Sequence, residues 1–535
     1  TDKTTTTDLT VFSIFPTDNE SLVSLNDNIS ITFSVAIDTT SVTTNNSGTS
    51  CSGSIQLSND SFSSCVKFYS STSISNSDKT FAVNPMETLS SASNYKIRVT
   101  TGVMDTSGNP LSSQYETPNG FTTLFTQQIG TNYDEYGYGV SVDSYNNIYL
   151  TGSTNGGLDG NTTTGTDCFS YISYSYVPCF DIFLVKYNSS GTKQWTRQLG
   201  TSSSEWGYDV AVDSNNNIYV TGNTGGGIDG NTNSGGSDIL LVKYNSSGTK
   251  QWTKLLGTVE NDGGVGVTVD SNNNIYVTGY TRAGLDGNSL NTYGATNNDG
   301  FLVKYNSSGV KQWTQQFGTG YEDSGSDVAV DSNNNIYVTG STNGALDGKS
   351  NSGVYDIFLI KYYDNGTKQW TQVLGTTDQD HGGSVTVDTN NNIYVTGDTA
   401  GSGGLDGNTN YGSYDIFIAK YYDNGTKQWT KQLGTSSTDW GNGVTLDSNN
   451  NIYVTGYTEG GLDNNTNSGN KDIFLVKYNS SGTKQWTRQL GTSSSDLGYD
   501  VTVDSNNNIY VIGETSGAVS YTHLRAHETL MNLVG

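Results

Sequence analysis

Seven times along the chain an acidic side chain is followed by one changing residue and then by Gly: Glu135–Tyr136, Glu205–Trp206, Asp262–Gly263, Asp323–Ser324, Asp380–His381, Asp439–Trp440 and Asp496–Leu497. An acid held beside a residue that changes from Tyr to Trp to His is the pattern of a fixed frame carrying variable contacts. Rings at such positions can stack on a sugar or a peptide. They can equally cover apolar surface of the protein's own. The residues assigned here to ligand binding are Glu135, Tyr136, Glu205, Trp206, Asp323, Asp380, His381, Asp439, Trp440 and Asp496. His381 reads as one more variant of the changing residue, not as a catalyst.

A second set of oxygen donors falls at alternate positions in Gly-containing loops. Asp229, Asn231 and Asn233 precede Asp238; Asp406, Asn408 and Asn410 precede Asp415; Asp463, Asn465 and Asn467 precede Asp472. Ca²⁺ takes six to eight hard oxygens, and alternate side chains of one loop can supply several. The bidentate acid of an EF-hand is absent at its usual spacing, so Asx turns that simply shape the loop are the competing reading. No cofactor is required, and Ca²⁺ is the metal weighed for these loops.

Nucleophilic catalysis finds no support. The chain has three His, no Cys/His pair stands out, and no GxSxG occurs in a strand–turn–helix setting. Acids are plentiful, so a glycosidase or lyase working through paired carboxylates is the enzymatic alternative. Net charge is −26, from 25 Lys and Arg against 51 Asp and Glu. Such a surface repels phosphate backbones and anionic membranes, leaving cations and cationic ligands as electrostatically favoured partners. Cys51 with Cys65 and Cys168 with Cys179 form two local pairs. Their spacing suits two short disulfide loops in an oxidising compartment better than zinc. No run of 18 apolar residues is present, so no transmembrane segment is expected.

The elements that must position these residues come from a repeat. VDSNNNIYVTG recurs with small changes seven times, its aspartates at Asp143, Asp213, Asp270, Asp331, Asp388, Asp447 and Asp504, spaced by 70, 57, 61, 57, 59 and 57 residues. The long interval holds the insert with Cys168 and Cys179. A KQWT segment carries Trp195, Trp252, Trp313, Trp370, Trp429 and Trp486, and a DIFLVKY segment starts at Asp181, Asp238, Asp299, Asp356, Asp415 and Asp472. Each unit reads as four short strands joined by Gly/Asn/Ser turns, the pattern of a β-propeller blade. The DSNNN and NSSGTKQ turns share one face and are nearly identical in every unit. The loops holding the acid–variable pairs and the LDGN segments share the other and vary. Recognition is therefore expected on the variable face. The Trp of KQW and the Tyr of NIYVTG are expected between blades, and Lys243 and its equivalents are expected to snorkel or pair with an acid.

The first repeat-like strand, FTQQIGT from Phe125, is an outer strand arriving before any inner one. It predicts a seven-blade ring whose last blade borrows its outer strand from the amino-terminal side, removing an exposed edge. The seventh unit stops matching after Ala518, so its third strand is expected to be missing. Residues 519–535, with His523 and His527, match nothing in the repeat. The string SYTHLRAHET resembles a translated sequencing-adapter read-through, and this tail is expected to be an artefact.

DIFLVKYNSSGTKQW and LGTSSSEWGYDVAVDSNNNIYVTG resemble the repeats of the bacterial SBBP β-propeller family over about 390 residues. The chain departs from that family in using Asn where many members have Gly after DSx, and LDGN loops where many carry Phe-Pro. Residues 8–123 lack the repeat and alternate as in ISITFSVAI and NYKIRVTTGV, which fits a β-sandwich. VFSIFPTDNESLVSLNDNISITFSVAID and NYKIRVTTGVMDTSGNPL resemble bacterial Ig-like domains. The expected layout is an all-β protein: an amino-terminal linker at 1–7, an Ig-like sandwich at 8–123, propeller repeats at 124–518 and the tail. The resemblance implies a secreted or cell-surface bacterial protein. The expected function is binding or adhesion to an extracellular protein or glycan, without catalysis, as a monomer that binds no nucleic acid. The alternatives are a carbohydrate-active propeller enzyme and a scaffold with no ligand.

Overall fold

A computed structural model describes residues 8–18, 23, 28–70, 73–87, 89–90, 93–123, 125–165, 168–170, 175–290, 297–401, 403–516 and 528–534. The expected linker at 1–7 and residues 519–527, including His523 and His527, lie outside these. Among the described residues the elements are strands and short 3₁₀ turns. The chain divides into two compact units, one running to Gln127 and taking in the last residues from Asn532, the other spanning Gln128–Met531.

In the first unit, β1 (Val11–Phe15), β2 (Ile29–Phe33), β4 (Ser73–Ser75) and β5 (Thr80–Val83) form one sheet in the order β1-β2-β5-β4. The second sheet holds β3 (Ile55–Ser58), β6 (Asn94–Val99) and β7 (Tyr115–Glu116), with β8 (Phe121–Thr122) also paired to β6. The alternating residues bury one face of each sheet, so Ile29, Ile31 and Phe33 share a core with Ile55, Leu57, Ile97 and Val99. This two-sheet packing is the sandwich the alternation predicts. Cys51 and Cys65 are bonded beside it.

The second unit is built of four-stranded antiparallel sheets. The first comprises Glu135–Val142, Ile148–Thr154, Asp181–Tyr187 and Lys193–Leu199, and five more repeat this plan. The seventh contains, in order, Asp496–Val503, Ile509–Thr515, Glu528–Val534 and β9 (Phe125–Ile129). β9 supplies the outer strand, as the early FTQQIGT segment predicts. The third strand, expected to be missing, is present: Glu528–Val534 occupies it, with backbone pairing substituting for repeat identity. Cys168 and Cys179 are bonded at the base of the insert of the first sheet.

The invariant face is explained by one hydrogen-bonding unit used seven times. Asp213 Oδ1 accepts the amides of Asn215 and Asn217 (2.9 and 2.8 Å), while Oδ2 accepts Asn217 Nδ2 and the Tyr219 hydroxyl. Asn216 between them takes a left-handed φ of 59°, which Asn tolerates better than most residues. Its side chain then faces the preceding blade, where Ser144 Oγ donates to Asn216 Oδ1 at 3.1 Å. The same Ser-to-Asn bond joins Ser214 to Asn273, Ser271 to Asn334, Ser332 to Asn391 and Ser448 to Asn507. Ser505 closes the ring on Asn146 of the first blade at 2.9 Å. Lys243 Nζ lies 5.1 Å over the Tyr219 ring and donates to the Ser307 carbonyl of the next blade at 3.0 Å.

The LDGN loops do something different from the recognition role expected of them. Asp229, at φ 51°, bonds Lys250 Nζ at 2.6 Å and the Thr253 hydroxyl, both on the outer strand Lys250–Leu256. Asn231 Nδ2 donates to the Thr253 carbonyl, and the neighbouring Ile228 is buried. Asp159, Asp286, Asp347, Asp406 and Asp463 pair likewise with Lys193, Lys311, Lys368, Lys427 and Lys484. Each loop thus drapes down over the outer strand and covers an edge that would otherwise invite pairing with another chain.

Candidate functional site

All seven innermost strands carry a β-bulge at one place, between Gly207 and Asp209 in the second blade and at the matching residues elsewhere. A Cβ on the facing Gly222 would lie 1.8 Å from the Trp206 carbonyl oxygen, so the close approach at the bulge requires glycine. The bulge re-aims two successive residues toward the axis. In chain order the first is Tyr138, Tyr208, Val265, Ser326, Gly383, Asn442 and Tyr499; the second is Gly139, Asp209, Gly266, Asp327, Ser384, Gly443 and Asp500. All of these but Gly139 and Gly443 line a cavity of about 220 Å³ on the propeller axis.

Three aspartates from the second, fourth and seventh blades face this cavity. Asp209 Oδ2 accepts the Val267 amide at 2.7 Å, Asp327 Oδ2 accepts the Val385 amide at 2.9 Å and the Ser384 hydroxyl at 2.7 Å, and Asp500 Oδ2 accepts the Val140 amide at 2.9 Å. Each therefore bridges to the next blade. Being surrounded by protein pushes all three carboxyls up from the usual range, against the pull of these amides. The negative charge of Asp500 and Asp327 adds to the effect on Asp209, and that of Asp327 adds to the effect on Asp500. Tyr138 lies between Tyr208 and Tyr499, with ring centroids at 5.4 and 5.0 Å. Burial also raises Glu514 to about 7, although it bonds the Tyr499 hydroxyl. The lining contains no Lys, Arg or His.

Of the residues expected to bind ligand, the acids and their neighbours part company. Glu135, Glu205, Asp323, Asp380 and Asp439 are fully buried, and Asp496 nearly so. Thr201 donates both amide and hydroxyl to Glu205, at 2.7 Å each, and Thr224 adds a third bond at 2.8 Å. Burial pushes the pKa of Glu135, Glu205, Asp380 and Asp439 up, and that of Asp323 to about 6. These acids lock the loop that precedes the inner strand and do not reach a ligand at the surface.

The changing residues do stand at the rim, and each pairs across strands with a second changing residue. Tyr136 faces Ser153, Trp206 faces Asn223, Gly263 faces Tyr280, His381 faces Asp398, Trp440 faces Tyr457, and Leu497 faces Glu514. They form two aromatic arcs. Trp206 stacks on Phe180 at 4.5 Å with Tyr136 at 5.8 Å. Trp440 is sandwiched between His381 and Tyr457, at 6.0 and 5.8 Å, with Tyr355 and Tyr414 flanking the imidazole. Trp440, half-buried, is thus engaged with the protein's own rings on the rim. His381 Nδ1 and Asp398 Oδ2 are 2.9 Å apart. Burial opposes charge on His381, but the Asp398 hydrogen bond and charge outweigh it and raise its pKa.

The loop residues expected to hold Ca²⁺ are engaged locally. Besides Asp229, Asn233 Nδ2 donates to the Thr224 and Gly236 carbonyls, and Asn408 and Asn465 donate to Leu405 and Leu462. Among the described residues no three His, Cys, Asp or Glu side chains gather as metal ligands. Only the last residue of each set, Asp238, Asp415 and Asp472, keeps a buried carboxylate oxygen with no partner. Sequence reasoning missed the axial aspartates and the second rim column. Both are visible as variable positions inside otherwise constant strings, the x of TGxT and the pair after the inner-strand Gly.

A closed seven-bladed β-propeller with an axial cavity, preceded by an immunoglobulin-like sandwich, is the class of protein these features define. Residues 5–123 match the bacterial Ig-like domain family. Seven segments, 124–159, 194–229, 251–286, 312–346, 369–404, 428–463 and 485–519, match the SBBP β-propeller repeat. The chain is an SBBP-repeat protein with an amino-terminal bacterial Ig-like domain. It is 25% identical over 512 residues to an uncharacterised WD repeat-containing protein of Acanthamoeba polyphaga mimivirus, covering 74% of this chain and 36% of that one. It is 27% identical over 230 residues to the regulatory protein FlaEY of Caulobacter vibrioides, covering 38% and 24%. The chain thus spans about a third or less of those relatives' length. Similar solved folds include a gluconolactonase from Xanthomonas campestris (11% identity, TM-score 0.33, 62% of this chain and 86% of that one) and YCF48 bound to D1 peptide (9% identity, TM-score 0.39, 77% and 95%).

Proposed function

We propose that this chain is an extracellular or cell-surface binding protein whose propeller takes a cationic group, such as a lysine side chain of a protein partner, into the axial cavity. The observation that carries the reading is the lining: three carboxylates and three tyrosines with no basic side chain among them. Carboxylates supply charge, and tyrosine rings attract a cation through their faces. The two bonded cysteine pairs fit an oxidising compartment, and adhesion through the variable rim fits an Ig-like domain as spacer.

A cation favours the ionised form of the raised aspartates, so binding expels protons and strengthens as pH rises from 5 to 8. The probe is a short fluorescent peptide carrying a single lysine, with its Nε-acetylated form as control. Asp500→Asn is expected to weaken the lysine peptide by about thirtyfold or more, the scale of one buried charge contact. Equal binding of both peptides would reject the reading, and no binding of either would favour a ligand-free scaffold.

One observation favours the enzymatic alternative: carboxyls held protonated toward neutral pH can act as general acids. In that case Asp327 and Asp500, not the buried Glu205 or Asp439, are the acids. Release of reducing ends from polysaccharide, abolished by Asp327→Asn, would establish it.

A further inference from the structure

The innermost strands hold a second population of acids that neither the axial cavity nor the rim uses. In the first six blades the third strand carries an Asp at or next to its start, and the inner strand of the next blade begins with an acid. Parallel bridges Tyr414↔Thr438 and Lys471↔Ser495 bring the two strands together one residue earlier. Asp415 therefore stands next to Asp439, and Asp472 next to Asp496, about 5 Å apart along the backbone at the usual strand spacing. The Asp262 amide donates to the Ser237 carbonyl at 2.7 Å, which sets Asp262 beside Asp238 in the same way.

All six carboxyls are 0–1% exposed. Burying two like charges side by side is costly without a counter-charge. Burial raises Asp238, Asp415 and Asp472, and the charges of the neighbouring Asp262, Asp439 and Asp496 add to it, each in the unfavourable sense. Asp238, Asp415 and Asp472 each present one Oδ1 that is buried and accepts no hydrogen bond. The equivalent oxygen of Asp181 is served by the Thr164 hydroxyl at 2.7 Å, so the fold has a way of satisfying it and does not use it in those three blades. At the junction of the fifth and sixth blades a further acceptor, Asn410 Oδ1, is also buried and unpartnered in the loop that wraps Asp415. Gly434 lets the carboxylate lie against the backbone, as the matching glycine does in the other blades: a Cβ there would lie 2.1 Å from Asp415 Oδ1.

We propose that Asp415 and Asp439, with Asn410 Oδ1, hold a Ca²⁺ ion between the fifth and sixth blades, and that Asp472/Asp496 and Asp238/Asp262 form lesser copies of the site. Oxygen-only donors of this kind suit a hard cation larger and less demanding in geometry than Mg²⁺. The site replaces the loop set as the place for calcium: of Asp406, Asn408, Asn410 and Asp415, it keeps the last two and takes its second carboxylate from the neighbouring blade.

The test uses the full chain, stripped with EDTA and dialysed at pH 7.5, titrated with CaCl₂ by calorimetry and followed by thermal melting. Binding below about 1 mM and a rise in Tm of several degrees are expected, with Mg²⁺ weaker. Asp415→Asn should remove one Ca²⁺ equivalent, while Asp406→Asn and Asp500→Asn leave the stoichiometry unchanged; the latter separates this site from the axial cavity. No heat and no shift in Tm of the wild-type chain at 5 mM Ca²⁺ (about five times the expected limit) would overturn the proposal. Loss of the equivalent in Asp406→Asn but not in Asp415→Asn would also overturn it, returning calcium to the loop.

Discussion

Asp323 shows how one buried carboxyl fixes the pH response of the fold. It accepts the Thr319 amide at 2.6 Å and the Thr319 hydroxyl at 2.8 Å, yet burial still carries its pKa from 3.8 to about 6. Between those values the folded chain holds more protons than the unfolded chain, so unfolding free energy falls as pH rises through this window. Asp447 runs the other way. Burial pushes it up, but its bonds to Asn451 and Tyr453 prevail and lower its pKa, so its stabilisation is lost as pH falls through the folded value. In Asp323→Asn the first effect disappears. The difference in unfolding free energy between variant and wild type should move in the variant's favour by about 1–3 kcal/mol from pH 4 to pH 7. Denaturant titrations at the two pH values measure it, and parallel pH profiles would contradict it. The site at this scale was half legible. The acid–variable pattern exposes a repeated frame, but sequence cannot tell an acid locked by its own Thr from one open to a ligand. The bulge that aims Asp209, Asp327 and Asp500 inward shows in the sequence only as a glycine followed by a variable pair, which does not say which way that pair points.

At the scale of the element, the LDGN loop is an edge cover. Asp229 tolerates a left-handed backbone and ties the loop to Lys250 and Thr253. The ion pair is a third exposed on each side, so screening leaves it a small share, and loop conformation with the Thr253 bond carries the rest. Asp229→Ala should cost about 1 kcal/mol and speed amide exchange along Lys250–Leu256 above that of the other outer strands. Unchanged exchange there would mean the loop does not guard the edge. The alternate oxygens of this loop read equally well as metal donors or as turn formers. What decides is where the Lys of KQW comes to rest, a tertiary contact that spacing does not encode.

For the whole molecule, the repeat period and the early strand at Phe125 are enough to derive seven blades and the shared last one. The third strand of that blade was not derivable, because Glu528–Val534 carries none of the repeat's residues and takes its place through backbone pairing. Deleting 528–534 should leave β9 without its neighbour and open the seventh blade. Self-association on size-exclusion chromatography and a broadened melt are the expected results. A monomer with an unchanged, sharp melt would show that the strand contributes nothing to closure.

The Ser-to-Asn bond on the constant face has one further consequence. Donor and acceptor are the same at junction after junction, including the one that joins the seventh blade to the first. At these junctions a blade meets its neighbour through one standard fitting, and the fifth blade, with Thr389 in the Ser position, is the exception. On this face units can be exchanged in register with the joint kept, while the rim residues they carry are reshuffled. The molecule is in this sense a rack with interchangeable trays, and its specificity can be rewritten one tray at a time.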